Sequence, residues 1–303
     1  MSQGQTGPGP FLPFFLVFLS CLSTQTRGFF MISIDLHSHT AYSHARDNVA
    51  DMYAAAVDKG LTIFGFSEHS PRPEQYNYPT EYRDRLNAHL LDYVHEVTEL
   101  KNNPGPCRVL FGMEVDWFEA DQDFVVRACH QFPFDYLLGS THFLGTWGYD
   151  GGSGPWEAMD EQARFATYEA YFRTWTKMLA SGLFNIASHP DLIKIFTRDS
   201  FHSWIIRDES QRLVRQALTV LKEQGMAMEV SSAGLRKPCR EIYPCPMIMH
   251  LAAEVGVPIS FASDAHSTDD VAYGFPTLAS YARSFGFTHS TYFAGGQAFS
   301  VPF

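Results

Sequence analysis

The chain is poor in fixed positive charge. Lys and Arg together number 22 against 33 Asp and Glu, a net charge of −11, and no block of like charge breaks the mixture. That balance argues against nucleic acid or an anionic membrane surface as a partner, since either needs a cationic patch. Cys-x-x-Cys is absent. The five cysteines (Cys21, Cys107, Cys129, Cys239 and Cys245) are odd in number and scattered, which indicates neither a zinc ribbon nor a disulfide framework and suits reduced thiols in a cytosolic protein. No glycine-rich phosphate loop or dinucleotide signature stands at the first strand-to-helix turn. The apolar run from Phe11 to Leu22 is too short to span a bilayer.

That run belongs to residues 1–30, which differ in character from everything after them. Its length suits a signal-peptide core, but the ten residues before it contain no Lys or Arg, which a secretory signal normally needs. Three readings are open: a secretory or lipoprotein signal, which would export the protein; an N-terminal anchor; or an extension outside the working protein, with Met31 as the functional start. The third is favoured, because Met31 directly precedes the first strand and the fold needs nothing earlier. The expectation is therefore a non-core segment 1–30, a single domain 31–303 and a cytoplasmic location.

From Met31 onward, apolar runs alternate with helical patterns. The run at 31–34 ends in Asp35-Leu36-His37-Ser38-His39; Asn48 can cap a helix that stops at Gly60, and 61–66 forms the next strand. The cycle recurs with strands at 108–114, 136–142, 184–189, 226–231 and 258–266, separated by helices near 81–100, 123–130, 161–180, 209–224 and 247–255. Seven near-continuous apolar strands alternating with helices predict a parallel sheet covered by helices. His, Glu or Asp recurs at strand ends, and a closed barrel brings those ends to one rim, whereas an open sheet spreads them along a line.

Nine side chains collect at or just past those ends: His37, His39, His44, His69, Glu114, His142, His189, Asp264 and His266. They include seven of the thirteen histidines. One such histidine alone reads as a hydrogen-bonded structural residue; seven at equivalent places read as metal ligands. His37 and His39, two apart in an extended chain, face the same way and can share an ion. Imidazole and carboxylate without thiolate suit Zn, Mn or Fe, and nine ligands suit two or three divalent ions, with a carboxylate such as Glu114 able to bridge a pair.

These motifs resemble the polymerase-and-histidinol-phosphatase (PHP) family, and within it the histidinol-phosphatase branch. The resemblance runs from Met31 to about Gly274. It rests on Asp-Leu-His-Ser-His-Thr at 35–40, Ser-His at 43–44, Ser-Glu-His-Ser-Pro at 67–71, Gly-Met-Glu at 112–114, Ser-Thr-His at 140–142, Ser-His-Pro at 188–190 and Ser-Asp-Ala-His at 263–266. The branch is indicated by Ser231-Ser232-Ala233-Gly234-Leu235-Arg236-Lys237-Pro238 followed by Tyr243-Pro244. The resemblance implies a distorted (β/α)7 barrel holding up to three metals. One ion would take His37, His39, Glu114 and Asp264, a second Glu114, His142 and His189, and a third His44, His69 and His266. The family often has Thr-Asp-His where this chain has Ser67-Glu68-His69, which leaves the role of Glu68 open.

The implied reaction is hydrolysis of a small phosphomonoester, L-histidinol phosphate, by a metal-activated hydroxide, with Glu114 holding the ions and Asp264 moving protons. Arg236 is expected to grip phosphate through its two-pronged guanidinium. Lys237 and Arg240 read as solvated loop cations, and Lys194 and Arg198 as weaker phosphate candidates. The alternatives are a PHP phosphoesterase for nucleotides or sugar phosphates, and a non-catalytic metal-binding module. The aromatic segments 147–156 and 71–82 either close over a leaving group or pack on the barrel.

Overall fold

The computed structural model describes Met1 and residues 31–76, 80–103 and 105–303; the expectations for the N-terminal segment lie outside the described residues. In chain order the elements are β1 (Ile34–Asp35), α1 (Val49–Asp58), β2 (Ile63–Phe66), α2 (Thr80–Asn102), β3 (Arg108–Asp116), α3 (Gln122–His130), β4 (Tyr136–Ser140), the short pair β5 (Phe143–Leu144) and β6 (Trp147–Gly148), α4 (Gly154–Glu157) and α5 (Glu161–Ala180). There follow β7 (Ile186–Ala187), α6 (Arg198–Ile205), α7 (Asp208–Glu223), β8 (Ala227–Ser231), α8 (Pro246–Val255), β9 (Ile259–Ala262), α9 (Phe275–Ser284) and a terminal hairpin of β10 (His289–Ala294) and β11 (Gln297–Pro302).

Seven strands form one parallel sheet in the order β1-β2-β3-β4-β7-β8-β9. The sheet curls until its first and last strands meet. Their hydrogen bonds run mainly beyond the strands proper: Leu36 N donates to Phe261 O (3.4 Å), His39 N to Ala265 O (2.9 Å) and Ala265 N to His37 O (3.2 Å). The seam is thus sewn by the segments that carry the candidate ligands. The expected seven strands are the seven found, and the fold is the expected distorted barrel.

Local chemistry accounts for the helix ends. Asn48 Oδ1 accepts from Asp51 N at the start of α1 (2.8 Å), and Asp160 Oδ1 accepts from Ala163 N at the start of α5 (2.8 Å). Gly60, just beyond α1, has φ of +74°, a conformation that favours glycine.

Apolar side chains divide into two layers. The larger lies between the strands and the helices, with Tyr168, Phe172, Trp175, Phe201 and Trp204 meeting where α5 packs on α6. The smaller fills the lower barrel with Ile34, Leu36, Ile63, Leu110, Tyr136, Leu138, Ile186 and Ala227. Tyr136 reaches across this interior to donate to Leu36 O (2.7 Å), and it can do so because its neighbours are Gly65 and Gly112. A Cβ at Gly65 would stand 2.1 Å from the phenol oxygen, and one at Gly112 2.5 Å from the ring.

Helices α6 and α9 and the terminal hairpin were not anticipated. The hairpin closes the bottom of the barrel: its turn donates from Gly295 N to Asp135 Oδ1 (3.1 Å) and from Gly296 N to Asp135 O (2.9 Å), and Phe293 joins the interior cluster. Phe293→Ala should lower the unfolding free energy by about 3 kcal/mol and the melting temperature by several degrees. A thermal melt unchanged by this substitution would remove the hairpin from the core.

Candidate metal centre

The two-residue period of an extended chain sorts the residues that follow β1. Ser38 Oγ donates to Gly65 O (2.9 Å), locking Ser38 into the sheet, while His37 and His39 face the barrel axis together, with their Nε2 atoms 3.1 Å apart. His37 Nε2 lies 3.4 Å from Glu114 Oε2 and 3.7 Å from Asp264 Oδ1; the corresponding distances from His39 Nε2 are 3.5 and 3.2 Å. Four donors from three strand ends therefore converge. The second oxygen of Glu114, Oε1, faces away toward His189 Nε2 (2.9 Å) and His142 Nε2 (3.6 Å). One carboxylate thus divides its oxygens between two groups of imidazoles.

The structure brings together His37, His39 and Glu114, with Asp264 beside them, and Glu114 with His142 and His189. His39, His69 and His266 bring ring nitrogens together, whereas His44 stands beside them with its ring 4.4 Å from that of His266 and 5.2 Å from that of His69. All nine candidate ligands nonetheless occupy one rim.

The donor set fits divalent ions. His69 Nδ1 and Glu114 Oε2 are 2.8 Å apart, yet neither has a hydrogen-bond partner, and His189 Nδ1 is also buried without one. Buried polar atoms are rarely left so. Backbone conformation agrees: His189 and Asp264 have φ of 22° and 50°, positive values that side-chain-bearing residues adopt at a cost.

Outer carboxylates fix the rings. Glu229 Oε2 pairs with His37 Nδ1 (2.7 Å), Glu68 Oε1 with His39 Nδ1 (3.2 Å) and Asp116 Oδ1 with His142 Nδ1 (2.5 Å). In each case the Nε2 is directed inward. Glu68 is anchored further by Thr40 N (2.9 Å), Thr40 Oγ1 (2.6 Å) and His69 N (3.1 Å), so its open role resolves into orienting the first ligand segment. Arg72 Nε in turn holds Asp116 Oδ2 (2.5 Å).

Charge states divide the set: the acids are ionised, His44 and His266 are neutral, and His37, His39 and His142, raised by neighbouring carboxylates, would give up a proton to bind a metal. Burial opposes ionisation of Glu114 and Asp264, but the surrounding histidines, His37 foremost, hold both well below the usual carboxylate range. Burial and neighbouring imidazoles push His44 down to about 2 and His266 to about 3, leaving both neutral. Burial would also lower His142, but Asp116 and Glu114 carry it up to about 9.

The ligands open into a cavity of about 390 Å³ whose wall also includes Arg72, Tyr82, Asp150, Leu192, Ile195 and Lys237. Three expectations about cations change here. Lys194 is not a phosphate ligand: it is fully buried, with Nζ on Asp191 Oδ2 (2.7 Å), Glu241 Oε2 (2.9 Å) and Ile242 O (3.0 Å), where it ties the 236–245 loop to the turn after His189. Lys237, expected to be solvated, lines the cavity instead, while Arg240 is exposed as expected. Arg198 is also turned away, bonded to Asp199 Oδ1 (2.9 Å) and Cys239 O (3.2 Å). Arg236 stands behind the wall, donating to Ser263 O (2.8 Å) and Asp264 O (3.0 Å) and pairing with Asp270 (3.0 Å).

Two aromatic segments also part company. Trp156 is buried, with Nε1 donating to Tyr149 O (2.7 Å), and packs against the barrel; Tyr82 lines the cavity. Sequence reasoning missed Glu229, Asp116 and Arg72 altogether. The available signals were a lone acid inside the apolar strand 226–230 and an acid two residues beyond Glu114.

The PHP domain model matches residues 35–233. The chain belongs to the PHP domain family. Among curated relatives, a probable histidinol-phosphatase of Deinococcus radiodurans is 32% identical over 254 residues, covering 83% of this chain and 93% of the relative. A histidinol-phosphatase of Bacillus subtilis is 28% identical over 265 residues, covering 80% and 96%. Among solved structures, the histidinol phosphate phosphatase of Lactococcus lactis, a complex with zinc, L-histidinol and phosphate, superposes with a TM-score of 0.69 at 16% identity, covering 88% of this chain and 98% of that one. The putative histidinol phosphatase of Listeria monocytogenes gives the same TM-score at 22% identity, covering 80% and 99%. PHP phosphatases are metal-dependent, in keeping with the imidazole and carboxylate clusters of this PHP domain.

Asp116→Asn should leave the ligands in place but free the His142 ring, weakening metal binding about 10- to 100-fold in a competition titration with a chromophoric chelator. Glu114→Gln, which removes the shared carboxylate, should lower bound metal further. Unaltered affinity in Asp116→Asn would show that the carboxylate does not govern the ring.

Proposed function

We propose that this protein is a metal-dependent histidinol-phosphatase that hydrolyses L-histidinol phosphate to L-histidinol and phosphate in cytoplasmic histidine biosynthesis. The observation that carries the reading is the pair of imidazole groups sharing Glu114 at the base of one cavity, in a chain 32% identical to a probable histidinol-phosphatase over most of both lengths. A phosphomonoester needs its charge neutralised and a water activated before phosphorus can be attacked.

In this scheme His37, His39, Glu114 and Asp264 would hold one divalent ion, Glu114, His142 and His189 a second, and His44, His69 and His266, with His39 adjoining, a third. Zn, Mn and Fe match these donors. When bound, the ions supply Lewis-acid charge for the phosphate oxygens and lower the pKa of the attacking water.

The chain's own residues do the rest. Glu229, Glu68 and Asp116 keep three imidazoles aimed inward, so no reorganisation accompanies the reaction. Asp264, ionised and on the cavity wall, takes the proton released as water adds to phosphorus and passes it to the departing alkoxide when the ester P–O bond breaks. Lys237 on the wall receives phosphate charge. Arg236, behind the wall, steadies Asp264: its Nη2 donates to the carbonyls of Ser263 and Asp264, and its Nε pairs with Asp270. No side-chain nucleophile is required.

The decisive assay is phosphate release by protein beginning at Met31, loaded with Mn or Zn, on L-histidinol phosphate beside sugar phosphates and nucleotides. A preference of at least about 100-fold in kcat/KM for histidinol phosphate is expected, scaled on the discrimination available to a site built around one ligand's polar groups. His37→Ala or chelator treatment should abolish turnover, with metal content falling in parallel. Turnover favouring another ester would retain the chemistry and discard the pathway, and a metal-loaded protein with no phosphatase activity would leave a binding module.

A further inference from the structure

The cavity wall holds one carboxylate that the metal scheme leaves unused. Glu114 and Asp264 belong to the ligand set, whereas Asp150 lies in the turn after β6 and lines the same space as Leu192 and Ile195. Its neighbour Tyr149 is fully buried and held on three sides. The Tyr149 hydroxyl donates to Thr141 O (2.5 Å), its N–H donates to His142 O (3.3 Å), and its carbonyl accepts from Trp156 Nε1 (2.7 Å). The turn is therefore fastened to the end of β4, next to a metal-binding imidazole, and the Asp150 charge is near enough to contribute to the raised pKa of His142. A carboxylate on so rigid a mount is preorganised for a ligand.

The place of the ester fixes what that ligand must be. Phosphate is drawn to the converging donors at the cavity base, so the alcohol portion occupies the wall nearer the mouth. In L-histidinol phosphate the carbon next to the ester carbon carries an ammonium group, and beyond it lies an imidazole. Neutral sugar phosphates and nucleotides carry a hydroxyl or a ring oxygen at the corresponding position and no ammonium. We infer that Asp150 is the specificity residue of this site, pairing with the ammonium of the leaving alcohol while Leu192 and Ile195 flank its carbon skeleton. This inference rests on the histidinol-phosphatase reading and deepens it by naming the group that separates amino-alcohol phosphates from neutral ones.

The test compares wild type with Asp150→Asn on two substrates that differ only at that group, L-histidinol phosphate and its deaminated analogue, 3-(imidazol-4-yl)propyl phosphate. Wild type should prefer the amine, and Asp150→Asn should reduce the ratio of the two kcat/KM values about 10- to 100-fold, the range of a charged hydrogen bond, chiefly through KM for the amine. Asp150→Glu should recover part of the ratio. Metal content and melting temperature report whether each variant is folded. Wild type preferring histidinol phosphate, with a ratio that Asp150→Asn leaves intact, overturns the role of Asp150 alone. Wild type that hydrolyses p-nitrophenyl phosphate but not histidinol phosphate overturns the functional reading and this inference together.

Discussion

The arrangement depends on how a buried excess of negative charge is held in one place. Glu68, Glu114, Asp116, Glu229 and Asp264 all sit at the top of the barrel, almost fully buried, with Arg72 paired to Asp116 among them. Taking a carboxylate out of water costs several kcal/mol unless it is paired. Protonated imidazole meets part of that demand: burial works against charge on His37, but Glu229, Glu114 and Asp264 raise its pKa well above the ordinary value. Divalent cations would meet it better, because they would also satisfy the orphaned Nδ1 of His69 and Oε2 of Glu114. The barrel rim is a concave anion built around cations, and metal binding and stability of the rim are two aspects of one equilibrium.

The same constraint explains why the seam of the barrel lies where it does. β1 and β9 are short, and regular pairing stops before their ends meet; closure is completed by His37, His39 and Ala265 backbone bonds and by Asp35, which accepts from Ser263 N (2.9 Å), Ser263 Oγ (2.5 Å) and Ala272 N (3.1 Å). The segments that carry the candidate metal ligands also hold the cylinder shut. The positive φ of Asp264 falls at this seam, and Arg236 braces it from behind through the carbonyls of Ser263 and Asp264. Ligand geometry is therefore tied to the most irregular part of the sheet, where backbone can bend to place a donor.

Much of this was legible in the sequence because the relevant information is local. An apolar run ending in His, Glu or Asp identifies both a strand and a rim position, and six such endings among seven strands imply closure; the partition of Glu114 between two imidazole groups follows the resemblance to PHP domains. The illegible parts depend on contacts between distant segments. Glu229 reads as an anomaly within a strand until β8 is seen to place it against His37, 192 residues away. Lys194 reads as a free cation until the 236–245 loop folds back and brings Glu241 and the Ile242 carbonyl onto it. Helix α9 and the terminal hairpin follow the last strand-end motif, so no chemistry marked them. The hairpin's role as barrel floor becomes apparent only through Phe293 and Asp135.

These distinctions separate what the site does from what it selects. The candidate ligands and their orienting carboxylates come from strand ends and the segments directly after them, whose positions the sheet order fixes; together they would hold cations that activate water against any accessible phosphoester. The remainder of the cavity wall is drawn from connections: Tyr82 from the long β2 to β3 crossover, Asp150 from the turn after β6, Leu192 and Ile195 from the turn after β7, and Lys237 from the loop after β8. Connections tolerate change that strands do not, because their alteration does not shift the register of the sheet. A barrel of this design can keep its reaction while changing its leaving group. The buried clasp of Lys194 on Asp191 and Glu241 has its place in that division: it joins two selecting segments to each other and to the end of β7, so the mouth is held in one shape above a base that is already rigid.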